Sequence, residues 1–289
     1  LRKWLSAGYI EKTKLYSTVN GTPQGGVISP TLLLATLSGL EQVVKSAGGY
    51  RKRVNIITYA DDFIITGVTK EVLENKVEPA VESFLRERGL TLSKEKTKIT
   101  QVNKGFDFLG MNIRKYEDKL IIKPAKGNVK NFLADIRKTI KLNRTAKTEE
   151  LIRCLNRKIR GWSNYYRHVC SSTTFHYLER EIFKATWKWS IKRHPEKSKR
   201  WIKRRYFRSD ETRNWIFSTK TKDKDGNIIN LDLEKVYIPI KRYIKFRAEA
   251  NPYDPTYHEY IANRLSGKMR KTARLNWWLP WWKFNNSYA

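Results

Sequence analysis

The sequence predicts an α+β protein, and three observations carry the prediction. Up to Pro124, apolar residues at helical spacing alternate with apolar runs of strand length. Past Pro124, apolar residues recur three and four apart, the period of one helix face. The charge is uneven: residues 130–289 hold 38 basic and 15 acidic groups, a net of +23 out of +31 for the 289-residue chain. Helices between short strands suit an α+β or split βαβ arrangement. The expected segments are 1–123, then a helical section over 124–208, then a basic segment over 209–289.

In chain order, Asn20-Gly21-Thr22-Pro23-Gln24-Gly25-Gly26 is rich in turn formers. Residues 31–45 read as a helix with Leu33, Leu37, Leu40 and Val44 on one face, Ser29 or Thr31 as cap and Gly48-Gly49 as its end. Two apolar runs, 54–58 and 63–66, flank Tyr59-Ala60-Asp61-Asp62 and predict a hairpin. A helix is expected over 68–88, stopped by Gly89. Residues 90–92 and 98–100 look extended, and 106–113 alternates like a strand. Residues 149–169 then place Leu151, Leu155, Ile159, Trp162, Tyr166 and Val169 on one stripe, with Thr148 as N-cap. A further helix is expected over 173–191, ended before Pro195, with turns at 222–227 and 251–255.

A field of +31 opposes folding through self-repulsion, so a polyanionic partner is expected. Nucleic acid and an anionic membrane surface both qualify. Ten Trp and fifteen Tyr among the basic residues favour nucleic acid, because bases stack on rings and guanidinium planes. Residues 197–208 hold seven Lys or Arg with Trp201, Tyr206 and Phe207 among them. Alone, such a run is a solvated helix face or a targeting signal. Inside a +23 region it reads as phosphate contact by Lys199, Arg200, Lys203, Arg204 and Arg205. No window of about 18 consecutive apolar residues is present, so no transmembrane helix is expected, and with the aromatics favouring nucleic acid no membrane partner is expected either. The N-terminus lacks a secretory pattern and an initiator Met, as a fragment or processed chain would. Cys154 and Cys170 form no Cys-x-x-Cys pair and suit a reducing compartment, cytoplasmic in a bacterium or organellar, not a secreted protein.

Asp61 and Asp62 are the strongest chemical signal. Adjacent ionised carboxylates at a hairpin tip repel, and each wants water, a donor or a cation. A divalent metal resolves the conflict, which points to metal-assisted phosphoryl transfer. The bland reading is a solvated turn.

Five motifs in order carry a family resemblance. Tyr59-Ala60-Asp61-Asp62 resembles the signature of reverse transcriptases. Thr22-Pro23-Gln24-Gly25-Gly26-Val27-Ile28-Ser29-Pro30 resembles the block before it in group II intron-encoded enzymes. Leu90-Thr91-Leu92-Ser93-Lys94-Glu95-Lys96-Thr97 and Phe106-Asp107-Phe108-Leu109-Gly110 resemble the two blocks after it. Gly161-Trp162-Ser163-Asn164-Tyr165-Tyr166-Arg167 resembles the maturase, or thumb, domain of that family, and Asn251-Pro252-Tyr253-Asp254-Pro255 a segment that follows it.

The resemblance implies a partial reverse-transcriptase palm, an α-helical thumb/maturase domain and a basic, DNA-binding-like C-terminal segment. It implies RNA-templated DNA synthesis for intron mobility and assistance of intron splicing. The implied partners are group II intron RNA, a DNA target or primer, and deoxynucleotides. Asp61 and Asp62 would be palm carboxylates in a two-metal Mg²⁺ site, with Asp61 the surer ligand. Pro23, Gln24 and Gly25 would lie beside nucleotide and template. Tyr59 would pack under the primer end, with Ala60 leaving room for it. Lys96 would be a basic contact near the palm, and Phe108, Leu109 and Gly110 would support the primer grip. Arg160, Tyr165 and Arg167 are assigned to nucleic acid; Tyr165 lies off the apolar stripe, whereas Trp162 and Tyr166 lie on it and read as core.

Departures from the pattern narrow the expectation. The family palm takes a third aspartate upstream of Gln24, whereas residues 1–60 hold no Asp and only Glu11 and Glu41 as acids. The fingers and that palm strand are therefore expected to be missing, with polymerisation requiring a complementing upstream chain or a dimer. The zinc endonuclease that ends some relatives is not expected, since His168, His176, His194 and His258 show no metal spacing. Trp277-Trp278-Leu279-Pro280-Trp281-Trp282 matches no family block and reads first as a packing anchor. Two alternatives stay open: an RNA-binding splicing cofactor without polymerase activity, and a defence or retron-type reverse transcriptase.

Overall fold

The computed structural model describes residues 8–11, 13–16, 28–49, 54–222, 225–240, 247 and 249–265. Pro23, Gln24, Gly25 and the Trp-rich tail lie outside the described residues. Helices and strands mix along the chain, an α+β composition. The chain forms two compact units that divide between Lys104 and Gly105. The strands of 106–124 therefore belong with the helices that follow them.

In the first unit, β1 (Tyr9–Glu11) and β2 (Lys14–Tyr16) form an antiparallel pair. The helix expected over 31–45 is two helices, α1 (Ser29–Thr36) and α2 (Leu40–Gly48). They part at Gly39, whose φ of +91° is left-handed, a region that costs other residues about 1–2 kcal/mol. The hairpin follows as β3 (Asn55–Tyr59) and β4 (Asp62–Thr66). The third helix, α3, begins as an α turn at Lys70–Val72, widens to a π turn over Leu73–Val77 and returns to α over Glu78–Arg86. Pro79 accounts for the widening: it has no N–H to give the carbonyl four residues back, and its ring crowds that carbonyl. α3 stops at Gly89 as read. Leu90 N–H reaches Leu85 O at 2.9 Å and Gly89 N–H reaches Arg86 O at 3.0 Å, the paired bonds of a Schellman end.

Leu40, Val44, Val54, Leu73, Val77, Val81, Phe84 and Leu85 form the core of this unit, and burial of each large apolar side chain contributes about 1.5–3 kcal/mol. Residues 90–92 and 98–100, which read as extended, lie in no ladder, with a turn between them. Leu90, Leu92 and Ile99 dock on the core, while the amides of Lys96 and Thr97 turn back to Ser93 O. The extended reading reflects anchoring without a ladder partner.

The second unit opens with a meander of β5 (Phe106–Phe108), β6 (Met111–Tyr116) and β7 (Lys119–Pro124). The stretch 106–113 is thus two strands, because Leu109 and Gly110 both take positive φ, +47° and +73°. Four helices follow: α4 (Lys126–Leu142), α5 (Thr148–Tyr166), α6 (Ser172–Arg193) and α7 (Lys199–Tyr206). The α5 stripe is buried as expected, with Leu151, Leu155 and Ile159 fully enclosed. Thr148 opens α5 from within; Lys147 holds the cap position without a side-chain bond.

After α7 come β8 (Phe207–Arg208), β9 (Ile216–Lys222) and β10 (Ile228–Asp232), one antiparallel sheet in the order β10–β9–β8. Phe207, Phe217, Leu233 and Val236 join the helices' core, so residues 207–222 and 225–236 build on the helices rather than forming a separate layer. Buried Asn156 on α5 secures the join. Its Nδ2 donates to Asp232 O at 2.8 Å and its Oδ1 accepts from Glu234 N at 2.9 Å. Asp254 Oδ1 accepts from Thr256 N at 3.0 Å and starts a short 3₁₀ turn, Pro255–Tyr257, before α8 (His258–Leu265). Among the described residues no helix is long and apolar enough to cross a membrane.

Candidate active site and nucleic-acid surface

The aspartate pair stands where the β3–β4 ladder ends. Tyr59 pairs with Asp62, which leaves Ala60 and Asp61 as a two-residue turn. Ala60 takes φ +53°, a left-handed conformation that favours glycine. Ile56, Phe63 and Ile65 anchor the hairpin on the first unit's core, while Ala60, Asp61 and Asp62 are exposed at its tip. Tyr59 is 63% exposed. The result is a core-anchored stem that offers two carboxylates and a phenol ring to solvent.

The donor chemistry fits Mg²⁺. Both groups are hard oxygen donors, and Mg²⁺ takes one or two carboxylates plus water and substrate phosphates. Among the described residues no group of three or more His, Cys, Asp or Glu gathers as a metal site. Lys96 sits in the Ser93 turn of the same unit with its side chain exposed.

In the second unit, the Leu109-Gly110 turn is held by the tyrosines at the end of α5. Phe108 pairs with Met111, and positive φ at both turn residues is the pattern of a type I′ hairpin. Leucine is a poor residue for it. The Tyr165 hydroxyl donates to Leu109 O at 2.8 Å, and the Tyr166 hydroxyl donates to Gly110 O at 3.0 Å. Asn128 Nδ2 on α4 donates to the Tyr166 hydroxyl at 3.0 Å, and Ala125 N–H also donates to Gly110 O at 3.0 Å. No side chain fits at Gly110: a Cβ there would lie 2.3 Å from Asn128 Nδ2 and 2.9 Å from the Tyr166 oxygen. Burial pushes the Tyr166 phenol pKa up, against the Asn128 bond that lowers it. Tyr165 remains half exposed, edge-on to Tyr166. Trp162 stacks on Phe132 at 4.9 Å and belongs to the core, as read.

The basic run 197–208 is mostly one helix face. Ile202 and Tyr206 of α7 are buried, and the Tyr206 hydroxyl lies 2.7 Å from His194 Nε2, which fixes α7 to the end of α6. That leaves Lys199, Arg200, Lys203, Arg204 and Arg205 exposed. Lys203 Nζ lies 4.3 Å above the Trp215 ring. Arg208 turns inward instead, in a bidentate pair with Asp232. Arg160 is likewise committed to Glu234, whose hydrogen bonds raise its pKa. Arg167 is half-buried; it reaches Asn164 Oδ1 at 3.4 Å, and its Nε has no partner among the described residues.

Two groups of residues escaped sequence reasoning. Asn128 carries no motif signal, because its role depends on α4 crossing the end of α5. The Arg208–Asp232 pair spans 24 positions and joins strands whose sequences show no strong alternation.

Comparison with known proteins gives two family matches along the chain. Residues 1–113 match the family described as reverse transcriptase (RNA-dependent DNA polymerase). Residues 129–207 match the group II intron, maturase-specific domain. Among curated proteins, Protein YkfC of Escherichia coli (strain K12) is 27% identical over an alignment covering 47% of this chain. The chain spans 45% of the length of that relative.

Proposed function

We propose, from a chain that belongs to the group II intron-encoded reverse transcriptase/maturase family, that the protein acts in RNA-directed DNA synthesis and in splicing of a group II intron. The observation that carries the polymerase reading is the exposed Asp61-Asp62 pair on an anchored hairpin inside the matched reverse-transcriptase region.

In this reading Asp61 and Asp62 would hold Mg²⁺, which when bound would supply charge stabilisation for phosphoryl transfer to a primer 3′-hydroxyl. The chain's own contribution is placement. The β3–β4 ladder fixes both carboxylates, and Ala60 presents only a methyl group beside them. Tyr59 offers an exposed ring against the primer end. Lys96 supplies positive charge for phosphate. Pro23, Gln24 and Gly25 are proposed to line the nucleotide and template. In the second unit, Tyr165, Tyr166 and Asn128 hold the Leu109-Gly110 turn in the shape needed to support the primer strand.

Intron RNA is the proposed partner of the second unit. The five exposed cations of α7, with Trp201 among them, suit phosphate contact and stacking. Arg160 serves this surface only by leaving Glu234.

Primer extension tests the polymerase reading. The full-length protein should extend a DNA primer on an RNA template in Mg²⁺, and Asp61→Ala should abolish extension. Extension that survives Asp61→Ala sinks the catalytic assignment. Lost extension with intact splicing would show that the two activities are separable.

A further inference from the structure

The long helices α4 and α6 enclose a groove of about 470 Å³ that no family motif marks. Its floor is apolar, built from Ile140, Ala185 and the buried Trp189. Trp189 Nε1 donates to Asn143 O at 3.0 Å, so the floor is fixed. The walls are basic. Lys141 and Arg144 stand on one side, Lys188 and Lys192 on the other. These four are exposed and have no ion-pair partner among the described residues.

The remaining charges sort into two groups. Arg193 is used structurally: its guanidinium donates to Ala146 O at 2.6 Å and lies 5.0 Å over Trp189. Glu181, the groove's one acid among the described residues, bridges the helices, taking Arg137 at 2.8 Å and Lys184 at 2.9 Å. At one end of the groove Glu181 therefore partly offsets two cations, while the other end gathers four around a concave wall. Like charges so placed repel each other, and a concave wall focuses their field. Lys188 and Lys192 are one turn apart, roughly 6 Å along the axis. That spacing suits successive phosphates better than one small anion.

We propose that this α4–α6 groove docks an RNA phosphate backbone, at a surface separate from the α7 cations, and that Glu181 marks its closed end. The proposal rests on the reading that the chain binds RNA. Charge complementarity and the width of the cation set select a polyphosphate strand as occupant.

The test measures binding of the full chain to its intron RNA across a salt series, with inorganic tripolyphosphate as competitor. Lys188→Gln with Lys192→Gln should weaken binding and flatten the log–log salt slope by about 1.4, at about 0.7 per lost single-strand contact. Glu181→Gln, which frees Arg137 and Lys184, should tighten binding and steepen the slope. Lys220→Gln with Lys222→Gln, equal in charge but on β9, should leave the slope unchanged. If the groove pair behaves like the β9 pair, the groove proposal fails while RNA binding stands. If the unaltered chain binds no RNA, the parent reading fails with it. If tripolyphosphate saturates the groove without displacing RNA, the site takes a small anion and the proposal is overturned.

Discussion

The Tyr166 hydroxyl donates to Gly110 O at 3.0 Å across 56 positions of sequence, and so joins the end of α5 to the tip of the β5–β6 hairpin. The bond ties the maturase-type motif to the last reverse-transcriptase-type motif within one compact unit. It holds a turn whose first residue, Leu109, is poorly suited to its backbone angle.

Removing that hydroxyl leaves Gly110 O one donor short and Asn128 Nδ2 without an acceptor. Tyr166→Phe should therefore cost about 1–3 kcal/mol, read by urea unfolding. Asn128→Ala should cost less, and the double variant less than the sum, since both act through one oxygen. Burial raises the folded-state pKa of Tyr166 above its usual 10.0. The associated stability is therefore complete below pH 10 and fades as the folded group titrates above it. Tyr166→Phe should abolish that alkaline loss.

Two glycines should respond with opposite signs. Gly110→Ala meets Asn128 and Tyr166 at a left-handed position, and should destabilise by more than about 1–2 kcal/mol. Gly161 lies inside α5, and a Cβ added there would meet nothing within 4 Å. Gly161→Ala should therefore stabilise by about 0.5–1 kcal/mol. Thermal unfolding of the two variants decides.

The Arg208–Asp232 pair predicts an acid dependence. Burial acts to raise the Asp232 pKa, but hydrogen bonds from Arg208 and Ser218 outweigh it and hold the carboxyl below its usual 3.8. A depressed folded-state pKa contributes stability above the unfolded value and loses it as pH falls through the folded value. Asp232→Asn should be less stable than the native chain at pH 7 and converge with it below about pH 4. Parallel unfolding curves down to pH 2 would contradict the pairing.

Neutralising the exposed cations of α7 should change RNA binding through salt. Glutamine at Lys199, Arg200, Lys203, Arg204 and Arg205 should flatten the log–log salt slope by up to about 3.5 on single-stranded RNA. Unfolding should change little, because these side chains are exposed. Nitrocellulose filter binding from about 50 to 300 mM salt reads the slope; an unchanged slope removes α7 from the interface.

Much of the local structure was legible because its cause is local. Gly89 ends α3 through its own backbone angle, and the α5 stripe shows in its period. The Asp61-Asp62 hairpin announces itself by two apolar runs on either side of a carboxylate pair. Other features depend on distant partners. Nothing local says that Leu109 turns left-handed; the phenols of Tyr165 and Tyr166 hold it there. Residues 90–92 and 98–100 read as extended, yet the turn at Ser93 leaves them without a ladder. Arg160 reads as a nucleic-acid contact, and nothing local says that Glu234, 74 positions away, pairs with it. The α4–α6 groove has no motif because its charges come from two helices at ordinary spacing.

The most direct test measures primer extension on RNA and intron-RNA affinity on the same preparation of full-length protein carrying Asp61→Asn. Asparagine keeps the size of the side chain and removes the anion proposed to hold the metal. The account predicts an extension rate lower by about 10²–10³ or more, as expected when several kcal/mol of charge stabilisation are lost, with RNA affinity unchanged. Extension at the native rate would contradict the assignment of the β3–β4 hairpin as the polymerase site.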